Sequence, residues 1–310
     1  MDWYYIVLIV IGAILLLLFI LLVICFNLTF YNGKKKGVMI YLPDQDIYKA
    51  YHDVMRQDIE NAQTMKYEEI YIKSFDGLTL YGRYYEKIKG APIEIMVHGY
   101  KGSGFRDMST GIRRAFACNR NALVIDQRSC GNSQGKVISF GINESKDLLV
   151  WIDKVIEIFG DDVKIILTGI SMGAATVLTV SGWNLKKNVI GILADCGYDS
   201  ASNIIKKVLR DLKLPVKLFY PFIKLSAKLF GRFDLEESSP IESIKKCNVP
   251  VIFYHGNKDG FVPYEMSINL YNQCTSENKK LVIIENAGHG IAFLVNPDKY
   301  IDELNLFFKN

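Results

Sequence analysis

Low-complexity runs, proline-rich or serine-rich tracts and internal repeats are all absent from this 310-residue chain. Their absence excludes repeat arrays and long flexible linkers. Charge of one sign is also lacking: 37 Lys and Arg stand against 33 Asp and Glu. A net charge of +4 is too weak for a surface built to hold nucleic acid, and no nucleic-acid partner is expected. The six cysteines include no Cys-x-x-Cys pair, so neither a zinc site nor a thioredoxin-like couple is encoded. There is no phosphate-cradling Gly-Lys-Ser/Thr, and Gly102 and Gly104 do not open a Gly-x-Gly-x-x-Gly turn. No cofactor and no metal are therefore expected. What is present is apolar material, half of all residues, with under a quarter charged. That balance excludes disorder and suits one large α/β domain.

The largest gap in the charge pattern lies at the N-terminus. No charged residue occurs from Trp3 to Gly33, and Ile6 to Phe26 is almost continuously aliphatic. About 20 such residues in a helix cross a hydrocarbon core of about 30 Å. Tyr4 and Tyr5 at one end and Phe30 and Tyr31 at the other are placed as interfacial anchors. A cleaved signal would need a positive start, a shorter apolar run and a small-residue cleavage site. Here Asp2 is the only early charge, and Val23-Ile24-Cys25 lacks the small residues that precede a lipid-modified cysteine. Residues 1–33 thus read as a retained single-pass transmembrane anchor in the cell membrane. Lys34, Lys35 and Lys36 follow it, which by the positive-inside rule places the rest of the chain in the cytoplasm. Cys118, Cys130, Cys196, Cys247 and Cys274, an odd set with no close pairing, agree with a reducing compartment.

Residues 34–66 read as a juxtamembrane linker, with a helix over Asp44–Gln63 from the spacing of Ile47, Tyr51, Met55 and Ile59. Two alternating segments, Glu68–Ser74 and Leu78–Glu86, flank Phe75-Asp76-Gly77 and predict a hairpin. Six short aliphatic runs without alternation follow: Ile93–Val97, Ala122–Ile125, Val163–Thr168, Val189–Ala194, Val251–Tyr254 and Leu281–Ile284. Such runs suit strands covered on both faces, with helices such as Ser145–Phe159 and Pro297–Phe308 between them. The fold class is α/β, a mostly parallel, doubly wound, eight-stranded sheet over residues 67–310. More than fifty residues separate Ala194 from Val251, so an insertion sits there. Its core, Ala201 to Arg232, is apolar and basic together, with eight Lys and Arg against Asp211 alone.

Gly169-Ile170-Ser171-Met172-Gly173 falls where a strand meets the helix Ala174–Ser181. A serine at that bend is lifted above the sheet, and the flanking glycines leave room for it. A serine hydroxyl needs a base to act as nucleophile. Of four histidines, His289 in Ala287-Gly288-His289-Gly290 follows the last strand and comes after the serine. The base needs an anion, and Asp259 in the loop after Val251–Tyr254 is favoured over Asp195 and Asp199. The oxyanion donors are expected to be the backbone N–H groups of Tyr100, in the loop after Ile93–Val97, and of Met172. His98 reads as a structural hydrogen-bonder, and the polar loop Asp126–Ser133 as a wall of the site.

HGYKG at 98–102, DQRSCGNS at 126–133, GISMG at 169–173, HGNKDGFVP at 255–263 and AGHG at 287–290 stand in one order. From about Glu68 to Phe308 the chain resembles the α/β-hydrolase superfamily, and more narrowly its serine-aminopeptidase-like and monoacylglycerol-lipase-like bacterial hydrolases. The loop at 126–133 carries Ser129-Cys130 where relatives usually carry a glycine. The resemblance implies an α/β-hydrolase fold in which Ser171 is the nucleophile, Asp259 the acid and His289 the base. It also implies that the insertion at about 200–247 is a cap over the active site. The expected activity is hydrolysis of carboxylic esters, small or lipid-like, through an acyl-enzyme. Two other readings stay open: a serine peptidase or aminopeptidase acting on short peptides, and a catalytically silent hydrolase fold used for binding. Against the peptidase, the insertion offers Asp211, Glu236 and Glu237 but is otherwise basic.

Overall fold

The computed structural model of the chain describes residues 3–33 and 42–308. Lys34, Lys35, Lys36 and the start of the linker lie outside the described residues. Eight strands form one sheet: β1 Glu68–Lys73, β2 Thr79–Tyr85, β3 Ile93–Val97, β4 Asn121–Asp126, β5 Ile165–Ile170, β6 Val189–Asp195, β7 Val251–Gly256 and β8 Lys279–Ile284. Their order is β1-β2-β4-β3-β5-β6-β7-β8. β1 and β2 pair antiparallel as the predicted hairpin, β2 runs antiparallel to β4, and every pairing from β4 to β8 is parallel.

Thirteen helices surround the sheet among the described residues: α1 Trp3–Thr29, α2 Asp46–Lys49, α3 His52–Thr64, α4 Gly104–Asp107, α5 Ser109–Ala117, α6 Ile142–Phe159 and α7 Met172–Val180. After these come α8 Ala201–Asp211, α9 Val216–Ser226, α10 Pro240–Ile244, α11 Glu265–Gln273, α12 Ala292–Val295 and α13 Pro297–Phe307, with a π-helical turn at Ala227–Gly231 after α9. The central strands are buried along their whole length, and alternate side chains serve opposite cores. Ile95 and Phe253 pack with α6 and α7 on one face, whereas Met96 joins α3 and α5, and Tyr254 joins α13, on the other. That is why these strands read as continuous aliphatic runs.

β3 carries a charge inside this core. Glu94, fully buried, accepts from Arg114 at 2.5 and 3.2 Å and from Arg120 at 2.9 Å. Burial alone would raise its carboxyl, but the two guanidinium groups hold it down at about 2.

Three regions depart from the sequence expectations. The linker helix is broken into α2 and α3 at Ala50-Tyr51. Phe30 is fully buried, among Phe140 and Phe233, so it is not an interfacial anchor. The packed cluster around it joins Cys25 of α1 to Ile205, Tyr220 and Ile223 of α8 and α9, so the last third of α1 is sealed against the insertion. Finally, Ile244 of α10 lies in the sheet core with α7, which leaves α8, α9 and the π-turn as the part standing above the sheet. Among the described residues one helix, Trp3–Thr29, is long and apolar enough, by length and composition, to cross a membrane, and its residues 3–20 are all exposed.

Candidate active site

Ser171 occupies the bend between β5 and α7 with φ 56° and ψ −119°, a conformation costly for a residue with a side chain. Two close approaches hold the bend. A Cβ on Gly169 would stand 2.2 Å from the Gly173 carbonyl oxygen, and one on Gly173 would stand 1.9 Å from that of Val97. The Ser171 N–H donates to the Asp195 carbonyl at 2.9 Å, tying the bend to the end of β6. The hydroxyl is thereby fixed above the C-terminal edge of the sheet.

His289 and Asp259 reach that edge from the loops after β8 and β7. His289 Nε2 lies 2.9 Å from Ser171 Oγ, and Nδ1 lies 2.7 Å from Asp259 Oδ2. A carboxylate facing Nδ1 requires that nitrogen to carry the proton, which leaves the Nε2 lone pair free to accept from the serine hydroxyl. Asp259 is itself fixed: Oδ1 accepts the N–H groups of Phe261 and Val262, each at 2.8 Å. His255 Nε2 faces both Asp259 Oδ2 and the Val262 carbonyl, so it too is a donor. Burial would push the Asp259 carboxyl up, but the hydrogen bonds from His255 and His289 and their charges hold it well below the usual carboxylate range. It remains an anion beside the imidazole. The rival acids lie elsewhere. Asp195 accepts from the Tyr300 hydroxyl at 2.9 Å, and burial raises it to about 6; Asp199 accepts from Asn203 at 2.9 Å.

The N–H groups of Tyr100 and Met172 have no hydrogen-bond partner among the described residues, and both flank Ser171. The Tyr100 loop passes so close that a Cβ on Gly99 would touch that of Ser171, at 3.5 Å. His98 braces the loop: Nε2 accepts the Gln127 N–H at 3.0 Å and Nδ1 donates to the Gly99 carbonyl at 2.7 Å. In the neighbouring polar loop Asp126 accepts from the N–H groups of Gly104 and Asn132. Ser129 there adopts φ 68°, the left-handed conformation that a glycine would take at lower cost.

Several residues at the site carry no signature in the sequence. The Tyr48 hydroxyl donates to the His289 carbonyl at 2.9 Å, joining α2 to the loop that bears His289. Phe261 meets the His289 ring edge-on, with centroids 5.2 Å apart. The Tyr100 hydroxyl and Lys101 Nζ donate to the carbonyls of Thr29 and Leu28, capping the C-terminus of α1. Cys196 Sγ, Asp259 and His289 offer ligand atoms within 4.8 Å of one another. Burial, with Asp195 and Asp259 nearby, pushes that thiol well above its ordinary range, and a neutral thiol is a poor metal ligand.

Two cavities meet at Ser171. One, of about 330 Å³, lies between the linker helices and the loops bearing His289 and Tyr100, with Arg106, Asp107, Ser109 and Thr110 on its wall. The other, of about 370 Å³, lies between α1, α8 and α9.

No protein-family model matches the chain. A Bacillus subtilis protein of uncharacterized role, YqkD, is 27% identical over 273 residues, covering 86% of this chain and 87% of its own length. Among solved structures, the esterase Pf2001 of Pyrococcus furiosus superposes with a TM-score of 0.63 at 21% identity, covering 82% of this chain and 94% of that one. The α/β hydrolase GrgF of a Penicillium species gives 0.62 at 15% identity, with 79% and 98% covered. At these identities the likeness to the solved structures is one of fold.

Proposed function

The chain has the α/β-hydrolase fold, and from that premise we propose that it is a membrane-anchored serine hydrolase of carboxylic esters. The reading rests on the unbroken line of hydrogen bonds Asp259–His289–Ser171 at the head of the strained bend. Ser171 Oγ attacks the ester carbonyl while His289 Nε2 takes its proton. The oxyanion forms against the N–H groups of Tyr100 and Met172, at the N-terminus of α7. The imidazolium, stabilised by Asp259, returns the proton to the leaving alcohol. Water deprotonated by the same nitrogen then attacks the acyl-enzyme and frees acid and serine. The esterase activity named for the Pyrococcus protein of the same fold is consistent with this chemistry.

Residues 1–33 act as the anchor, 34–66 as the linker and 67–310 as the hydrolase domain, with α8, α9 and the π-turn of the insertion over the site. Trp3–Ile20, exposed throughout, spans about 27 Å as a helix, close to the thickness of a hydrocarbon core. Lys34–Lys36 favour the cytoplasmic side for the domain, as do its free cysteines. The test is fluorophosphonate labelling of the full chain in detergent. Labelling of the wild type that disappears in Ser171→Ala is expected. Labelling that persists in the variant removes Ser171 from its role, and a wild type that takes no label is a silent module.

A further inference from the structure

The cavity between α1, α8 and α9 differs in kind from an ordinary solvent cleft. At about 370 Å³ it falls in the range of ligand sites, and Ser171 stands at one end of it. No Asp, Glu, Lys, Arg or His lines it. The tyrosine hydroxyls on its wall are spent on carbonyls: Tyr100 on that of Thr29 and Tyr198 on that of Phe140, at 2.7 and 3.0 Å. Apart from Cys25, Thr29 and Ser171 the remaining wall is aliphatic or aromatic, with Leu21 and Ile24 contributed by α1, Leu209 by α8 and Ile223 by α9. A water inside would find few polar partners, so the space favours a hydrocarbon.

Exposed apolar residues border the cavity. Leu212, on its lining, is 63% exposed, and Leu214 follows it. Leu218 and Leu225, two turns apart on one face of α9, are also exposed, as is Leu229 in the π-turn that follows. Phe230 packs edge-on against Phe19 and Phe26 of α1, with centroids 6.0 and 5.5 Å apart. Phe19 belongs to the exposed stretch of α1 that the bilayer would cover. An apolar ridge held against that stretch, with Lys213, Lys217 and Lys228 interspersed, suits the boundary between acyl chains and headgroups.

We infer that this cavity receives the acyl chain of an ester resident in the bilayer, and that α1 forms one wall of the substrate site as well as the anchor. The inference rests on the hydrolase reading above and gives its substrate class: an amphiphile whose long chain enters between α1 and α8–α9. Its alcohol portion would lie in the cavity on the opposite side of Ser171, where Ser109, Thr110 and Arg106 offer polar groups. In such a pocket each methylene buried at the transition state raises kcat/KM about fourfold until the space is filled.

The experiment uses the full chain in lipid nanodiscs with p-nitrophenyl esters from acetyl to dodecanoyl. We expect a stepwise rise in kcat/KM with chain length. Ile24→Trp in α1 and Leu209→Trp in α8 should each cut the dodecanoyl-to-acetyl ratio at least twentyfold. Leu16→Trp, on the exposed stretch of α1, should leave that ratio alone. Acetyl-ester turnover and fluorophosphonate labelling report that the site is assembled in each variant, and the two tryptophans probe the pocket independently. A flat series in a wild type that hydrolyses the acetyl ester overturns the acyl pocket and leaves the hydrolase intact. A ratio unmoved by Ile24→Trp in labelled protein removes α1 from the wall. A wild type that neither turns over any ester nor takes the label overturns the hydrolase reading itself.

Discussion

The two sides of Ser171 are built by different physics. On the sheet side Ser171, Asp259 and His289 stand at the ends of β5, β7 and β8, held by directional hydrogen bonds between 2.7 and 2.9 Å. The bend itself is held by backbone approaches that leave no room for a methyl group. On the other side the wall comes from α1, α8 and α9, joined by apolar packing. Such packing has volume but little direction, and it tolerates swaps of similar size. Position matters on the first side and space on the second. Substitutions on the sheet side should therefore change the rate of chemistry for every substrate alike, whereas those between α1 and the insertion should change which substrate is preferred.

The largest effect that separates the two is expected for Asp259→Asn. An amide can keep accepting from the Phe261 and Val262 N–H groups, but its NH₂ then faces His289 Nδ1. The imidazole must turn to the tautomer with the proton on Nε2, which cannot accept from Ser171. A loss of about 10⁴ in kcat is expected, equal for acetyl and dodecanoyl esters in steady-state assays. Unequal losses would mean that Asp259 also shapes the chain pocket.

Next comes the stability of the sheet on which the hydrogen-bonded side stands. Glu94→Gln leaves Arg114 and Arg120 buried without their anion, at a cost of about 3–5 kcal/mol, measured by urea unfolding at pH 7. The sign with acid is fixed by the depressed carboxyl. The ion pair's contribution is complete above the ordinary carboxyl value of 4.5 and is lost as pH falls through about 2. The glutamine variant should lack that part of the acid loss. An equally steep fall in the variant would assign the acid sensitivity to other groups.

The same division decides what could be read from the sequence. Gly169, Gly173 and the short aliphatic strands leave marks because each answers a local demand: a crowded bend, or a strand covered on both faces. The eight strands accordingly fall where the runs predict, within about two residues at each end. Asp259 and His289, which the structure brings to Ser171, each follow a strand end in a recognisable loop. The pocket wall leaves no such mark. Leu21, Ile24 and Cys25 look like any other residues of an apolar helix, and nothing in their spacing says that α8 and α9 cover them. Phe30 departs from its expected place for that reason: an aromatic at the end of an apolar helix has the same local pattern whether it meets headgroups or a protein core. Tyr48 carries no local mark either, because its partner is a backbone carbonyl 241 residues away.

The smallest expected effect tests whether the apolar side uses charge as well as volume. Of the cationic residues between Ala201 and Arg232, Lys207 pairs with Asp211 and Lys224 with Glu236. Lys213 and Lys217 have no ion-pair partner among the described residues, and they flank the exposed Leu212, Leu214 and Leu218. Near an anionic membrane each such lysine contributes about 1 kcal/mol of attraction. With α1 as the proposed anchor, that attraction would not be needed to bring the domain to the surface; it would act on how the mouth of the pocket rests there. The double variant Lys213→Glu/Lys217→Glu should therefore lower turnover of a bilayer-embedded ester by about fivefold in anionic nanodiscs, less than the full electrostatic term of the two charges. It should have no effect in zwitterionic nanodiscs, and raising the salt should narrow the gap. Equal losses on both lipids would mean that these lysines support the packing of α8 and α9 and play no part in meeting the bilayer.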